Sequence, residues 1–455
     1  MNLENDTIVA IATAPGRGGI GIVRLSGSQA RAIAEPMLRL RRPLAAGRAR
    51  LAELLDRETG VVLDQGVVTF FAAPNSYTSE EVVEIAAHGA PVWLEALLRQ
   101  CVTAGARLAR PGEFTERAFL AGRLDLTQAE AVHDLVAATT LEQARTAARQ
   151  MGGALSKQVQ PVKQALIALI AALEAGVDFA EDDIDTLAAE EIAAKIDAVA
   201  APLREMEASF GYGRLLRDGF TLALVGRPNA GKSSLFNRLV RRNRAIVTAS
   251  PGTTRDPIHE ELEFAGIPVR LIDTAGLRVA TDEAELAGME RSREAMAEAD
   301  IVLLVVAANE ALGAEDLEAV RAHENLLVVV NKADLVEQVR GPAEAALAPL
   351  VSAVARTSAL TGEGIEALRE TILARLRSVP RSADAAVLTN LRQHQAVTAA
   401  LHALAAAAAG VAARTPHEML LLDLYEALEA LDRLTGTTTQ DDVLNLIFSS
   451  FCIGK

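Results

Sequence analysis

Three patterns in the 455-residue sequence predict an α/β multidomain protein: strand-like runs over residues 1–118, strand and helix alternation over 216–379, and helical periodicity on either side, over 119–215 and 380–455. Thr7 to Ala12, Gly21 to Leu25, Asp64 to Phe71 and Glu81 to Ala87 are the strand-like runs of a small amino-terminal α/β domain. Val162, Leu166, Leu169, Ile170 and Leu173 recur at the spacing of an apolar helix face. The acidic stretch Glu181 to Asp185 interrupts that pattern and reads as a solvated loop, because it lacks the ligand spacing of a calcium loop. The alternation over 216–379 is the signature of a parallel-sheet nucleotide-binding fold. Beyond Pro380 the helical pattern returns. Thr415-Pro416-His417-Glu418 has the form of a capping box with proline at the first helical position, and Leu421, Leu424, Leu428 and Leu431 predict one buried stripe. With helices before and after it, the nucleotide-binding domain is expected to be inserted in one helical domain, both its ends anchored in the same body.

Composition narrows the class. Half the residues are apolar and only 3% are aromatic, which favours long helices over a β-sandwich. A net charge of -15 argues against the chain gripping a nucleic-acid backbone by itself over a broad face. A basic partner would serve instead. No run of about 18 apolar residues stands out, and Met1 to Asp6 lacks the blocks of a signal or transit peptide, so a cytoplasmic location is expected. Cys101 and Cys452 are far apart, which suggests neither a disulfide framework nor a zinc site.

Gly226 to Ser233 matches G-x-x-x-x-G-K-[ST], following the strand-like run Phe220 to Val225 and preceding the helix-like Ser234 to Val240. This is a phosphate-binding loop in its proper setting. Its glycines let backbone N–H groups wrap the phosphates, Lys232 can reach the β and γ oxygens, and the Ser233 hydroxyl can ligate Mg²⁺. Asp273-Thr274-Ala275-Gly276 follows the strand Val269 to Ile272 and reads as a γ-phosphate sensor. Asn331-Lys332-Ala333-Asp334 ends the buried strand Leu326 to Val330, and a carboxylate there accepts both hydrogens from guanine N1 and N2, a pair that adenine lacks. Thr357-Ser358-Ala359, after Val351 to Ala355, supplies backbone N–H groups for guanine O6. Four motifs in this order select GTP and a Ras-like G domain. The expected nucleotide site comprises Asn229, Ala230, Gly231, Lys232, Ser233 and Ser234, then Thr248, Ala249, Ser250, Pro251, Gly252, Thr253 and Thr254, then Asp273 to Gly276, Asn331, Lys332, Asp334, Ser358 and Ala359.

In Ras-like proteins a glutamine after the D-x-x-G glycine orients the attacking water, and here that position is Leu277. Either hydrolysis is slow or another group takes over. Asp282, Glu283 and Glu285 are nearby carboxylates, and Arg255, Arg278 or a bound cation could supply positive charge at the phosphates. Asn229, Thr248, Ser250 and Thr253 are a collection of hard oxygens that suits a monovalent ion beside Mg²⁺, although serine and threonine are also common turn residues. Thr254 is expected to be the switch threonine that closes onto Mg²⁺ and the γ-phosphate.

Gly16 to Gly21 matches G-x-G-x-x-G, but a strand-like run follows where a helix should begin, so a hairpin or loop is expected there and not a dinucleotide site. Cys452 could add as a thiolate to carbon 6 of a uridine, or only pack. His88, His133 and the other histidines are scattered and read as surface or core residues.

Asn5 to Ala10 with Pro15 to Gly19, Arg110-Pro111-Gly112-Glu113-Phe114, Gly122 to Leu126, the GTPase motifs and the terminal Cys452-Ile453-Gly454-Lys455 together resemble the MnmE (TrmE) family of tRNA-modification GTPases over the whole chain. The resemblance implies a homodimer formed through the amino-terminal domain, a potassium-dependent G domain cycle, and a complex with the flavoprotein MnmG. Together these add an aminomethyl-type group to carbon 5 of the wobble uridine of certain tRNAs, using a 5-formyl- or 5,10-methylene-tetrahydrofolate. It implies K⁺ ligation by Asn229, Thr248, Ser250 and Thr253, and water positioning by Glu285. It also implies folate binding at Arg24, Glu84, Arg123 and Lys455, with Arg123 standing where many relatives have lysine. Catalytic roles then fall to Glu285, Lys232, Thr254 and Cys452. A ribosome-assembly GTPase is the rival reading, but it predicts a basic RNA-binding appendage, and the carboxyl end here is acidic and helical. A membrane-remodelling GTPase lacks the basic amphipathic helix it would need.

Overall fold

The computed structural model describes residues 6–178, 187–243, 259–273, 299–322, 325–336, 342–347, 354–376, 387–437, 444, 447–449, 451, 452 and 454. The chain forms two compact units, residues 1–133 with 150–170 and 421–455, and residues 134–149 with 171–420. The acidic stretch Glu181 to Asp185 lies outside the described residues.

In the first unit, β1 (Ile8–Ile11), β2 (Gly18–Ser26), β3 (Leu38–Leu40), β4 (Arg48–Leu55), β5 (Val62–Phe71), β6 (Val82–Gly89) and β7 (Arg107–Leu108) form one sheet in the order β3-β4-β5-β6-β2-β1-β7. Only the β1 to β7 pairing is parallel. Alternate residues Val23, Leu25, Val68, Phe70, Val83 and Ile85 bury one face together with Leu94, Leu97 and Cys101 of the helix α2 (Pro91–Thr103), which follows the short α1 (Ala30–Ala34). The strand period of two therefore turns Arg24 and Glu84, which are register partners, to the other face. Because β2 runs extended from Gly18 and pairs antiparallel with β1, the glycine-rich Gly16 to Gly21 segment opens a strand, as a hairpin requires.

Helices follow: α3 (Glu113–Leu120), α4 (Leu126–Ala137), α5 (Leu141–Met151) and α6 (Ala154–Asp178). In α6, Val162, Leu166, Leu169, Ile170 and Leu173 are all buried, as their spacing predicts. A separate apolar cluster joins Leu126 and Ala129 to Leu444, Phe448 and Phe451, so the carboxyl-terminal residues pack within the first unit. Gly112 sits there at φ +68°, and a Cβ on it would lie 2.7 Å from the Phe448 carbonyl oxygen, an approach that only glycine permits.

In the second unit α7 (Ala189–Asp218) leads into β8 (Phe220–Val225) and α8 (Lys232–Asn243). The remaining strands are β9 (His259–Phe264), β10 (Ile267–Asp273), β11 (Ile301–Ala307), β12 (Leu326–Asn331) and β13 (Val354–Arg356), ordered β13-β12-β11-β8-β10-β9. All pairings are parallel except β9 with β10. Every residue of β11 and β12 is buried, the mark of strands covered on both faces. The covering helices include α8, α9 (Ala314–Ala322), α10 (Pro342–Leu347) and α11 (Ile365–Leu376). β8 lies between β10 and β11, so the chain winds in opposite directions from it, and the crevice at its carboxyl end is where such sheets bind ligands. The β9 to β10 turn is fastened to the start of α5 by a buried hydrogen bond, Thr140 Oγ1 donating to the Gly266 carbonyl at 2.7 Å.

Two expectations about the last helices are corrected. α12 (Leu391–Ala412) is long and apolar enough to cross a membrane by length and composition, with a window of mean hydropathy 1.5, although interrupting histidine and threonine residues hide it as a run. Much of that apolarity is alanine, and the helix packs on α7, where Phe210 stacks on His394 at 4.1 Å and Thr398 Oγ1 donates to Glu207 at 3.0 Å. In α13 (His417–Thr435) the fully buried line is Leu420, Leu424, Ala427, Leu431 and Leu434, while Leu421 and Leu428 are half-buried. Alanine carries part of the contact face, so a pattern of leucines alone points to one side of it.

Candidate nucleotide site and amino-terminal side-chain cluster

The phosphate loop starts where β8 ends. Gly226 has φ +137°, and a Cβ there would fall 2.2 Å from the Val305 carbonyl oxygen of β11. Gly231 has φ +94° and would place a Cβ 2.2 Å from Asn331 Nδ2. Both motif glycines are thus demanded by close approach of neighbouring atoms as well as by conformation. Asn229 takes the left-handed conformation at φ +64° with its side chain exposed, a geometry asparagine tolerates better than most residues. α8 begins at Lys232, which places the loop at a helix N-terminus, where free N–H groups favour anions. Lys232 Nζ donates to the carbonyls of Gly226 at 2.6 Å and Arg227 at 2.9 Å, while Ser233 and Ser234 are both exposed.

Arg227, an unconstrained position in the motif, anchors the loop from the side. Its Nε lies 2.9 Å from Asp316 Oδ2, and a second nitrogen donates to the Ala311 carbonyl at 2.5 Å. Asp316 is 2% exposed and also accepts from the Gly313 N–H at 2.9 Å. The phosphate loop is therefore tied to the β11 to α9 connection through a buried carboxylate.

Asn331 ends β12 with its side chain 1% exposed. Its Nδ2 donates to the Ala230 carbonyl at 3.2 Å, and its Oδ1 accepts from the Ala359 N–H at 3.1 Å. Lys332 then turns left-handed at φ +59°, and Ala333 to Leu335 form a short 3-10 turn that presents Asp334. Asp334 accepts a hydrogen bond from Ser358, whose hydroxyl in turn accepts from the Thr361 N–H at 3.1 Å. The Ser358 N–H is given to the Glu363 carbonyl at 2.9 Å, so both backbone donors expected at guanine O6 are bonded within the protein here. Asp273 closes β10 beside Leu224 of β8, next to the strand that feeds the loop. Thr248, Ala249, Ser250, Pro251, Gly252, Thr253, Thr254, Thr274, Ala275, Gly276, Glu285 and Lys455 lie outside the described residues, as do Arg255, Leu277, Arg278, Asp282 and Glu283.

In the first unit Arg24 and Glu84 are an ion pair with Arg24 nitrogens 2.8 Å from Glu84 Oε1. Arg24 also donates to the Gly454 carbonyl at 3.3 Å, and its guanidinium lies 5.6 Å from the Phe114 ring centre and 6.0 Å from that of Tyr77. Burial pushes the Tyr77 phenol up against the opposing effects of a Thr115 hydrogen bond and the charges of Arg24 and Arg123, so both arginines act on one ring. The Cys452 side chain is exposed, and its carbonyl accepts from the Gly112 N–H at 3.4 Å. Burial pushes the Cys101 thiol up to about 12, so it stays protonated and inert.

A family profile described as the MnmE helical domain matches residues 126–452, and one described as the GTP-binding protein TrmE N-terminus matches residues 7–123. The chain belongs to the MnmE family of tRNA modification GTPases. A relative carrying that description in Koribacter versatilis is 54% identical over 461 residues, covering all of both chains. Those in Pseudomonas syringae pv. tomato and Aquifex aeolicus are 42% and 41% identical, covering 100% and 99% of this chain and all of their own. GTP hydrolysis and a role in tRNA modification come with membership of the MnmE family. The architecture agrees with it: an amino-terminal TrmE-type domain, and a Ras-like G domain set within the MnmE helical domain.

Sequence reasoning passed over Arg227, Tyr77 and the Gly454 carbonyl. Phe114 belongs to one of the MnmE-like motifs, but nothing local marks its ring as a neighbour of Arg24.

Proposed function

We propose that the chain is a potassium-dependent GTPase that acts as a homodimer with the flavoprotein MnmG. The pair would add a (carboxymethyl)aminomethyl group to carbon 5 of the wobble uridine of certain tRNAs, taking the carbon from a 5-formyl- or 5,10-methylene-tetrahydrofolate. The observation that carries the nucleotide part is the Asn331 side chain, which fastens the phosphate loop at Ala230 to the base loop at Ala359. Asp334, held by Ser358, then offers the carboxylate that guanine's paired hydrogens require.

The donor sets fit the expected ions. Ser233 with Thr254 would hold Mg²⁺, and Asn229 with Thr248, Ser250 and Thr253 would hold K⁺. Bound there, the cations supply positive charge to the phosphate oxygens. Lys232 adds its own charge at the loop mouth, and Glu285 takes the water-positioning part that Leu277 cannot fill. Arg24 and Glu84 lie side by side near two aromatic rings, a setting that suits a flat heterocycle bearing amide and amino hydrogens. Arg123 and Lys455 complete that folate set, and exposed Cys452 is the candidate thiolate for carbon 6 of the uridine. On this reading the domains run 1–118, 119–215, 216–379 and 380–455, in the cytoplasm, with tRNA held mainly through MnmG.

Nucleoside analysis of tRNA from cells lacking this chain tests the proposal. The wobble modification should disappear and return when the chain is restored. Unchanged wobble uridines would remove the modification reading.

A further inference from the structure

The chain carries -15 overall, yet Leu38 to Leu51 holds Arg39, Arg41, Arg42, Arg48 and Arg50 and no Asp or Glu. Fourteen residues out of 455 with 45 basic residues would hold between one and two by even spread, so this stretch concentrates positive charge in an acidic protein. The structure puts it at one border of the first unit's sheet, on the edge strand β3, the turn after it and the start of β4. Arg39, Arg41, Arg42 and Arg48 are exposed. Arg39 pairs with Glu53 at 2.8 Å, whereas among the described residues Arg41, Arg42 and Arg48 have no carboxylate partner.

The turn that bears them is held in place. Leu44 is buried in the core at 5% exposure, the Gly47 N–H donates to the Phe70 carbonyl at 2.8 Å, and the Arg48 N–H donates to the Ala45 carbonyl at 3.1 Å. Arg50 Nε reaches the Pro43 carbonyl at 3.4 Å. Unpaired guanidinium groups on an anchored turn suit a row of phosphates, because each fork can meet two oxygens and little of the backbone needs ordering on binding.

We propose that Arg41, Arg42 and Arg48, with Arg39 beside them, form a contact surface for the phosphate backbone of the tRNA on which this family acts. It is a positioning surface, independent of base sequence. Basic residues on an edge strand also discourage sheet-to-sheet pairing, and charge reversal separates the two roles, since glutamate blunts an edge as well as arginine does.

The test is binding of a fluorescent unmodified tRNA transcript to the full chain at several NaCl concentrations, for the parent, Arg41→Glu/Arg42→Glu and Arg41→Lys/Arg42→Lys. The reversed variant should bind about ten-fold or more weakly, and its salt dependence should fall by about one unit of slope for each phosphate it no longer neutralises. The lysine variant should keep the slope, and GTP turnover should stay at the parent level in both. Parent-like tRNA affinity in the reversed variant overturns the proposal, as does loss of the slope in the lysine variant. Unchanged tRNA affinity with weakened binding of an acidic protein would also overturn it. Should the reversed pair fail to fold, Arg48→Gln read by the same salt slope decides in the same way. Because wobble modification is measured separately, failure here leaves the proposed function standing.

Discussion

Asn331 donates to the Ala230 carbonyl at 3.2 Å, so a residue of the base-recognition motif holds the phosphate loop directly. The same side chain accepts from the Ala359 N–H, and it is buried. Asn331→Ala strands a carbonyl and an N–H, each worth about 1 to 3 kcal/mol when buried without a partner. GTP and GDP affinity should both fall by about ten-fold to a thousand-fold in titrations with a fluorescent nucleotide. Parent-like affinity would show that the two loops keep their places without it.

Asp334→Asn replaces a pure acceptor with a side chain that also donates. Guanine N1 and N2 hydrogens lose their joint acceptor, while xanthine, with a carbonyl at carbon 2, gains a donor. Competition assays should show GTP weakened by about a hundred-fold or more and XTP strengthened. Unaltered preference for GTP would place the base elsewhere.

Asn229 is left-handed at φ +64°, so Asn229→Ala removes the side chain proposed to ligate K⁺ and strains the loop at once. Asn229→Gly removes that side chain alone. Both variants should turn over GTP equally in potassium and in sodium. If the glycine variant keeps its potassium stimulation, the effect of alanine is one of backbone and not of coordination.

Arg227→Met breaks the tie to Asp316 and leaves a carboxylate that is 2% exposed without its cation. Asp316 keeps the Gly313 N–H, and the Arg227 side chain is 32% exposed, so the loss costs about 1 to 3 kcal/mol, less than for a fully buried pair. Because Lys232 rests on the carbonyls of Gly226 and Arg227, the loop should loosen around it. Stability to urea should fall and KM for GTP should rise, whereas Arg227→Met combined with Asp316→Leu should recover much of the stability. No recovery in the double variant would count against a coupled pair.

The first unit offers two neighbouring glutamates with opposite titration behaviour. Burial acts to raise Glu113, but the Arg107 guanidinium, the Arg110 N–H and Arg117 outweigh it and hold the carboxyl below its ordinary value of 4.5. A depressed folded value means its stabilisation is full above the unfolded value and is lost as pH falls through the folded one. Glu116 is raised, chiefly by burial, so whatever it contributes is present below the unfolded value and lost as pH rises through the folded one. Glu113→Gln should therefore destabilise by about 3 kcal/mol at a pH of about 7 and progressively less below a pH of about 4. Glu116→Gln should be near neutral at the higher pH. Urea midpoints at the two pH values check this, and equal losses for the two variants would refute it.

Much of the site was legible because its motifs are local. A glycine at a forced φ, a lysine opening α8 and an aspartate after a buried strand are consequences of neighbours within a few residues. The amino-terminal strands were legible from alternation, but β3 and β4 were not, since their exposed arginines and leucines break the pattern of a half-buried strand. The helical stripe near the end reads one side off from leucines alone because alanine carries part of it.

By itself the sequence determined the nucleotide motifs, their order on one parallel sheet and the family, because each rests on contiguous residues whose backbone geometry allows few alternatives. Only the tertiary structure decided that Arg227 meets Asp316, that Asn331 joins two loops, and that Arg24 reaches the carbonyl of Gly454 across 430 positions of chain. The physical reason lies in the interactions themselves. An arginine can satisfy its charge with any of many carboxylates or carbonyls, and which one it meets depends on how strands and helices pack their apolar faces, a choice no single stretch of residues contains.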